Sequence, residues 1–267
     1  MALTITILGC GSSGGVPRPG SGWGACDPKN PKNRRRRCSI LVERNGGNGT
    51  TSLIVDTTPD LREQLIDADV KHLDAVLFTH DHADHTHGID DMRALVLHMR
   101  KRIPVYADPV TATTLQTRFG YIFETPPGSL YPPILEMHSM QAGEPLTIEG
   151  MGGGICAHPI VLEHGPGYEA LGFRFADLGY VPDVSMMPAE AKTALAGLDV
   201  LILDCLRETP HPSHFSLSQA LEAIAELAPR RAVLTNLHID LDYESLSKRL
   251  PPGIDVAYDG MSLTVDG

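Results

Sequence analysis

The chain opens with strict alternation. Leu3, Ile5 and Ile7 are apolar and Thr4 and Thr6 polar, before "GCGSSGG" breaks the pattern. That predicts a strand feeding a tight loop. "CSILVE" and "TSLIVD" flank "RNGGNG" and predict a β-hairpin. "PDLREQLIDA" predicts a helix beginning near Pro59. "DAVLFTH" is a short apolar run and predicts a buried strand, and "IDDMRALVLHM" predicts a helix with acidic residues in its first turn. The order then repeats loosely. "IPVYA", "GICAHPIVLE", "ALGFRFA", "DVLILDC", "RAVLTNLHI", "DVAY" and "SLTV" predict strands. "PVTATTLQTRF", "PAEAKTALAG", "SLSQALEAIAELA" and "YESLSKRL" predict helices. Residues 9–37 and "ETPPGSLYPP" predict loops. The pattern describes an α/β protein, expected as one domain over residues 1–267, with no repeat at solenoid period.

Composition narrows the class. The chain has 267 residues, 42% of them hydrophobic, and a net charge of −11, which argues against broad nucleic-acid binding through bulk charge. The five cysteines are odd in number and scattered, so a disulfide framework is not expected and a cytoplasmic home is. "MALTITILGC" lacks a basic leader and is expected to be a first strand, and no stretch is long and apolar enough to suggest a membrane span.

The chemistry concentrates in "FTHDHADHTHGIDDMR", which holds four of the twelve histidines. His80 ends the buried strand, and His82, Asp84 and His85 follow in the spacing H-x-H-x-D-H. Imidazoles and carboxylates together suit borderline divalent ions such as Zn or Mn. His80 and His82 can converge on one ion while Asp84 and His85 turn to a second.

This motif resembles the metallo-β-lactamase superfamily. The resemblance implies an αββα four-layer sandwich with a two-metal site at the edge of the sheets. It also implies three further ligands. After the strand "GICAHPIVLE" the candidate is His164, with His158 expected to be packed or supporting. Asp204, ending "DVLILDC", is the expected bridging aspartate. His238 in "AVLTNLHID" is the expected last ligand, because relatives carry histidine where this chain has Asn236 and His238 lies on the same strand face as Asn236. Asp56 in "LIVDTT" is expected to orient a ligand histidine.

The segments "LGCGSSGGVPRPG", "NPKNRRRRCSILVE", "PHPSHFSLSQAL" and "VAYDGMSL" resemble the branch that holds phosphoribosyl 1,2-cyclic phosphodiesterase. That branch carries an extra structural zinc on three cysteines of the N-terminal loop and a late histidine. Here Cys26 stands alone and the late position is Ile239, so this zinc is expected to be absent. Trp23 is expected to pack the loop. The run Arg34 to Arg37 is either a solvated edge or a face that orders the loop and meets phosphate. His214 aligns with the branch's proposed general acid, ahead of a helix with Ser216 as N-cap. His211 is expected to be structural.

The expectation is therefore a metal-dependent phosphodiesterase acting on small cyclic or nucleotide-like phosphodiesters. Its cofactors are two divalent ions, Zn or Mn, that activate hydroxide. Metal ligands are His80, His82, Asp84, His85, His164, Asp204 and His238, and the catalytic residues are His214 and Asp84. The expected partner is a small sugar or nucleotide phosphate, not a large nucleic acid or a membrane, and a homodimer is left open. The alternatives are a tRNA 3′-processing-type nuclease, or a non-hydrolytic redox or cofactor-biosynthesis protein of the same fold.

Overall fold

A computed structural model describes residues 2–266. Six strands build most of a first sheet: β1 (Ala2–Gly9), β2 (Ser39–Gly46), β3 (Gly49–Val55), β4 (Ala75–Leu77), β5 (Ile103–Ala107) and β6 (Leu135–Ser139). A second sheet follows: β7 (Leu146–Ile148), β8 (Ile155–Glu163), β9 (Glu169–Phe175), β10 (Leu178–Val181), β11 (Val200–Asp204), β12 (Arg231–Thr235) and β13 (Ile254–Val256). The last strand, β14 (Ser262–Asp266), returns to the first sheet beside β1. The strand orders are β14-β1-β2-β3-β4-β5-β6 and β13-β12-β11-β10-β9-β8-β7. The α-helices are α1 (Leu61–Asp67), α2 (Ala83–Thr86), α3 (Met92–Met99), α4 (Pro109–Phe123), α5 (Ala189–Leu195), α6 (Leu217–Leu227) and α7 (Tyr243–Ser247).

The period-2 pattern explains the layering. In β2 and β3, Ile40, Val42, Leu53 and Val55 face the second sheet and meet a core that includes Phe173, Phe175, Leu201 and Leu203. Their neighbours Leu41 and Ile54 point the other way, into a second core with Leu61 and Leu65 of α1, Met92 of α3 and Leu115 and Ile122 of α4. The helices α5 and α6 bury Ala191, Leu195, Ala220 and Ile224 against the second sheet. The result is the expected αββα sandwich, with helices outside two mixed sheets. No helix is long and apolar enough to cross a membrane among the described residues.

Two features of the topology place the site. In each sheet one run of strands is parallel: β3 to β6 in the first, β10 to β13 in the second. Parallel strands end together, so the loops after them gather on one edge, the usual place for ligands in such sheets. The edges are joined where Leu171 N–H donates to Thr79 C=O at 2.8 Å.

Most predicted elements are present, with shorter ends. "IDDMRALVLHM" becomes a 3-10 turn at Ile89–Asp91 followed by α3. The strands β6, β7 and β10 were not predicted. The strand expected over "RAVLTNLHI" stops at Thr235, because Asn236 turns left-handed with φ 61°.

Candidate metal centre

The centre is built from strand ends. All three residues of β4 are buried, and beyond it Phe78 is fully buried and Thr79 and His80 nearly so. The chain then turns into α2, whose single turn presents Asp84 and His85. Gly88 closes this turn against Thr57 and Thr58: its N–H donates to Thr57 C=O at 2.9 Å, and a Cβ there would sit 1.9 Å from Thr58 O. Only glycine allows the motif to pack this close.

Three groups of side chains come within ligand distance of one another: His80, His82 and His164; His80, His85 and Asp183; and His164, Asp183 and His214. The rings of His80 and His85 are 4.3 Å apart, and those of His80 and His82 4.5 Å. His164 Nε2 lies 3.4 Å from His82 Nδ1, and His85 Nε2 lies 3.1 Å from Asp183 Oδ2 and 3.6 Å from Asp84 Oδ2.

Supporting contacts fix which nitrogen each ring offers. His85 Nδ1 lies 2.7 Å from Asp56 Oδ2 and donates to it, leaving Nε2 for the centre. His164 Nδ1 donates to Ser213 C=O at 2.7 Å, with the same result. Thr79 Oγ1 donates to Asp56 at 2.8 Å and can then accept from His80 Nδ1 at 2.9 Å. Asp56 thus orients the histidines, as its strand-end position suggested, from a left-handed backbone at φ 68°. His82 stacks on Tyr168 at 4.8 Å, and the Tyr168 hydroxyl donates to Asp81.

The inward-facing atoms are poorly satisfied. His80 Nε2 is buried and makes no hydrogen bond among the described residues, and buried Asp183 Oδ2 makes none of good geometry, although it faces His85 Nε2 at 3.1 Å as an ion pair. A buried imidazole nitrogen without a partner beside a buried carboxylate is unfavourable. A divalent cation would satisfy both, so the donor set fits a metal ion. The charges agree. Burial pushes His80 well below the usual imidazole range. Burial also opposes charge on His85, but Asp183, Asp56 and Asp84 outweigh it and hold the ring well above that range. Burial opposes ionisation of Asp183 too, yet His85, His164 and His80 hold it well below the usual carboxylate range.

Three expected ligands lie outside these groups: Asp84, whose Oδ2 is 3.6 Å from His85 Nε2, Asp204 and His238. Asp204 ends β11 as expected and is fully buried. Its carboxylate, however, receives donors from all sides: Val184 N–H at 3.1 Å, Phe215 N–H at 3.3 Å, Asn236 Nδ2 at 3.0 Å and His214 Nδ1 at 3.0 Å. Three of these donors share Oδ2 and one reaches Oδ1, and through Oδ2 the carboxylate holds His214. His238 is turned away because the strand face that would have aligned it ends one residue before Asn236. Its Nε2 meets Arg18 Nη1 at 2.6 Å. Asn236 itself reaches the centre, with Nδ2 3.2 Å from Asp183 Oδ1.

Asp183 is the residue that sequence reasoning missed. It lies two positions beyond β10, a four-residue strand whose run "LGYV" is too short to show a period. The available signal was an apolar run ending in Pro182-Asp183, the same strand-end logic that singled out His80.

The remaining expectations divide. His214 is half-enclosed by the site. Burial opposes its charge, but Asp204 raises it to about 9. Ser216 caps α6 in a capping box with Gln219, which fixes the chain just after His214. The His211 ring lies 5.2 Å from that of His214, tilted by 42°, and takes a hydrogen bond from Ser213 N–H. His158 is exposed beside Cys156, not packed. The arginine run splits residue by residue. Arg36 pairs with Asp67 and Asp259, and Arg37 with Asp60. Arg35 is buried and donates to the carbonyls of His238 and Leu241 and to Asn33 Oδ1. Cys26 packs with Val16, Ile239 and Trp23, and its thiol faces the carbonyls of Ile239 and Leu241.

Comparison with known proteins places this geometry. Residues 51–239 match the family model described as the beta-lactamase superfamily domain. A solved structure described as a new diphosphatase from the PhnP family is 35% identical, with a TM-score of 0.88 over 99% of this chain and 98% of that one. Zinc-bound PqqB from Methylobacterium extorquens is 19% identical, with a TM-score of 0.74 over 97% of this chain and 99% of that one, a likeness of fold. A Porphyromonas gingivalis protein named octanoyltransferase is 31% identical over 99% of this chain and 52% of its own length, so the chain spans about half of that curated relative. The chain belongs to the beta-lactamase superfamily, in its PhnP-like branch, and carries that superfamily's metallo-hydrolase fold.

Proposed function

We propose that the protein is a metal-dependent hydrolase of small phosphodiesters, diphosphate esters included. The observation that carries this reading is the buried His80 Nε2, which has no hydrogen-bond partner among the described residues, beside the buried Asp183 carboxylate at the meeting point of four further donor residues, His82, His85, His164 and His214. The similarity to a diphosphatase over nearly the whole chain supports the phosphoryl substrate. The octanoyltransferase name belongs to a protein about twice as long and is not carried over.

His80, His82 and His164 would hold one divalent ion, and Asp183, His85 and Asp84 would serve a second. When bound, Zn or Mn would supply Lewis acidity toward the phosphoryl oxygens and an activated water. The side chains around them do the rest. Asp56 and Ser213 C=O keep His85 and His164 in the tautomers that point Nε2 inward. Asp204 accepts from His214 Nδ1, which leaves Nε2 as the nitrogen free for substrate and keeps the ring protonated. His214 is then poised to give a proton to the leaving oxygen. Asn236 bonds both Asp204 and Asp183, tying the acid to the ligand set.

The test is reconstitution. Protein stripped by a chelator should lose hydrolysis of bis-p-nitrophenyl phosphate and regain it with Zn or Mn. Turnover that survives stripping, or that no divalent ion restores, contradicts the reading.

A further inference from the structure

Beyond Asn236 the chain leaves the metal centre and enters a second polar site. Arg18 lies there with two neutral partners: Nη1 meets His238 Nε2 at 2.6 Å, and Nη2 donates to Ser12 Oγ at 2.9 Å. Its Nε is buried and makes no hydrogen bond among the described residues. Asp240 is the carboxylate whose charge reaches Arg18, but it is turned to His238 Nδ1, 2.9 Å away and out of line for a hydrogen bond. The guanidinium therefore has no carboxylate of its own, although the protein is acidic overall.

The loop around it is shaped for an anion. Gly15 N–H donates to Ser12 C=O at 2.7 Å and closes a turn whose central residues are Ser13 and Gly14. The N–H groups of those two residues have no partner among the described residues. Gly14 lies against the guanidinium, since a Cβ there would come 2.5 Å from Arg18 Nε. Free amides of a tight turn beside an arginine make an anion-binding concavity.

This site adjoins the metal centre. Gly11 and Leu237 form a bridge, and Ser12 N–H donates to Leu237 C=O at 3.3 Å, one residue past Asn236. His211 lies between, next to His214 and within reach of the charges of both His164 and His238. Arg207 adds positive charge toward His211 and His238. The opposite groove behaves differently. A cleft of about 750 Å³ beside Tyr168 is lined by Asp108, Glu163 and Glu169, which would repel a phosphate.

We propose that Arg18, with Ser12 and the turn amides of Ser13 and Gly14, binds a second phosphoryl group of the substrate, the one not attacked at the histidine cluster. This rests on the hydrolase reading above and names its substrate class: two linked phosphoryl groups, as in a diphosphate diester. The metal centre holds the phosphorus that reacts and Arg18 holds its neighbour as the leaving group: the oxygen of water bonds to the first phosphorus, the P–O–P anhydride bond breaks, and two phosphate monoesters result, with the proton of water passing to solvent.

The experiment compares metal-loaded wild type with Arg18→Met and Ser12→Ala on two substrates. ADP-ribose carries two phosphoryl groups and bis-p-nitrophenyl phosphate one. Circular dichroism and metal content establish that each variant is folded and loaded. Arg18→Met should raise KM for ADP-ribose about 10- to 100-fold, the value of charge-assisted hydrogen bonds to an anion. The loss in kcat/KM on bis-p-nitrophenyl phosphate should be at least about tenfold smaller. Ser12→Ala should follow in the same direction with a smaller effect. Equal losses on both substrates would make Arg18 structural and overturn the proposal, as would no change on ADP-ribose. If neither substrate is hydrolysed, the hydrolase reading fails. Calorimetry with inorganic pyrophosphate then decides the subsite by itself: binding weakened about tenfold or more by Arg18→Met supports it, and equal binding refutes it.

Discussion

Asp183 Oδ2 stands 3.1 Å from Nε2 of His85, and it is this carboxylate, not the one ending β11, that meets the histidine cluster. Asp183 Oδ2 faces the cluster, whereas Asp204 Oδ2 takes three donors and Oδ1 one, from Asn236. Asp183→Ala should therefore lose most bound metal. Asp204→Asn should keep it, because Asp204 lies outside the groups within ligand distance and the change removes charge but little volume. Metal content after gel filtration measures both. Metal lost from Asp204→Asn and kept in Asp183→Ala would reverse the assignment.

The 3.0 Å contact between His214 and Asp204 bears on proton transfer. His214→Ala should cut turnover of substrates with alkoxide leaving groups by about 10²–10⁴-fold. Esters that release p-nitrophenolate need less protonation and should lose less. His214 is also within ligand distance of His164 and Asp183. A loss of metal from His214→Ala would make it a ligand instead of the acid.

The sequence made the layers legible because both sheets follow simple periods. Ile40, Leu41 and Val42 alternate between two cores as the pattern requires. His80 and His82 were legible through the H-x-H-x-D-H spacing, and His164 through the ligand set that the family resemblance implies, placed where an apolar strand ends. The misreadings have one physical source, the local backbone at strand ends. Asn236 leaves the strand through a left-handed conformation, so a face argument could not reach His238. Asp183 follows a strand too short to announce itself. Asp204 occupies the predicted place, but only the three-dimensional packing shows its four donors. The run Arg34 to Arg37 carries no period that separates buried Arg35 from its paired neighbours.

Arg35 does by hydrogen bonding what a structural ion could do in this loop. It is 2% exposed and ties residues 238–241 to the N-terminal loop. Arg35→Met should destabilise the protein by about 1–3 kcal/mol for each buried carbonyl left without a donor. Cys26→Ser should leave metal content unchanged, since the thiol faces carbonyl oxygens and an apolar cluster. Denaturant unfolding and metal analysis check the two variants. An equivalent of zinc lost with Cys26→Ser would refute the second expectation.

Metal affinity should fall on acidification. The imidazoles of His80, His82 and His164 bind a cation only when neutral, so protons compete with it. The sign is fixed: binding strengthens as pH rises and releases protons as it occurs. Equilibrium dialysis against Zn or Mn at about pH 5.5 and about pH 8, either side of the ordinary imidazole range, reads the difference. Affinity independent of pH would argue against histidine ligands.

Anomalous diffraction from crystals grown with Mn or Zn tests the central claim most directly. The strongest peak should fall within bonding distance of His80, His82, His164 and Asp183, and any second peak should share Asp183 with His85. No peak among these residues, or a strongest peak at Asp204 and His238, would contradict the account.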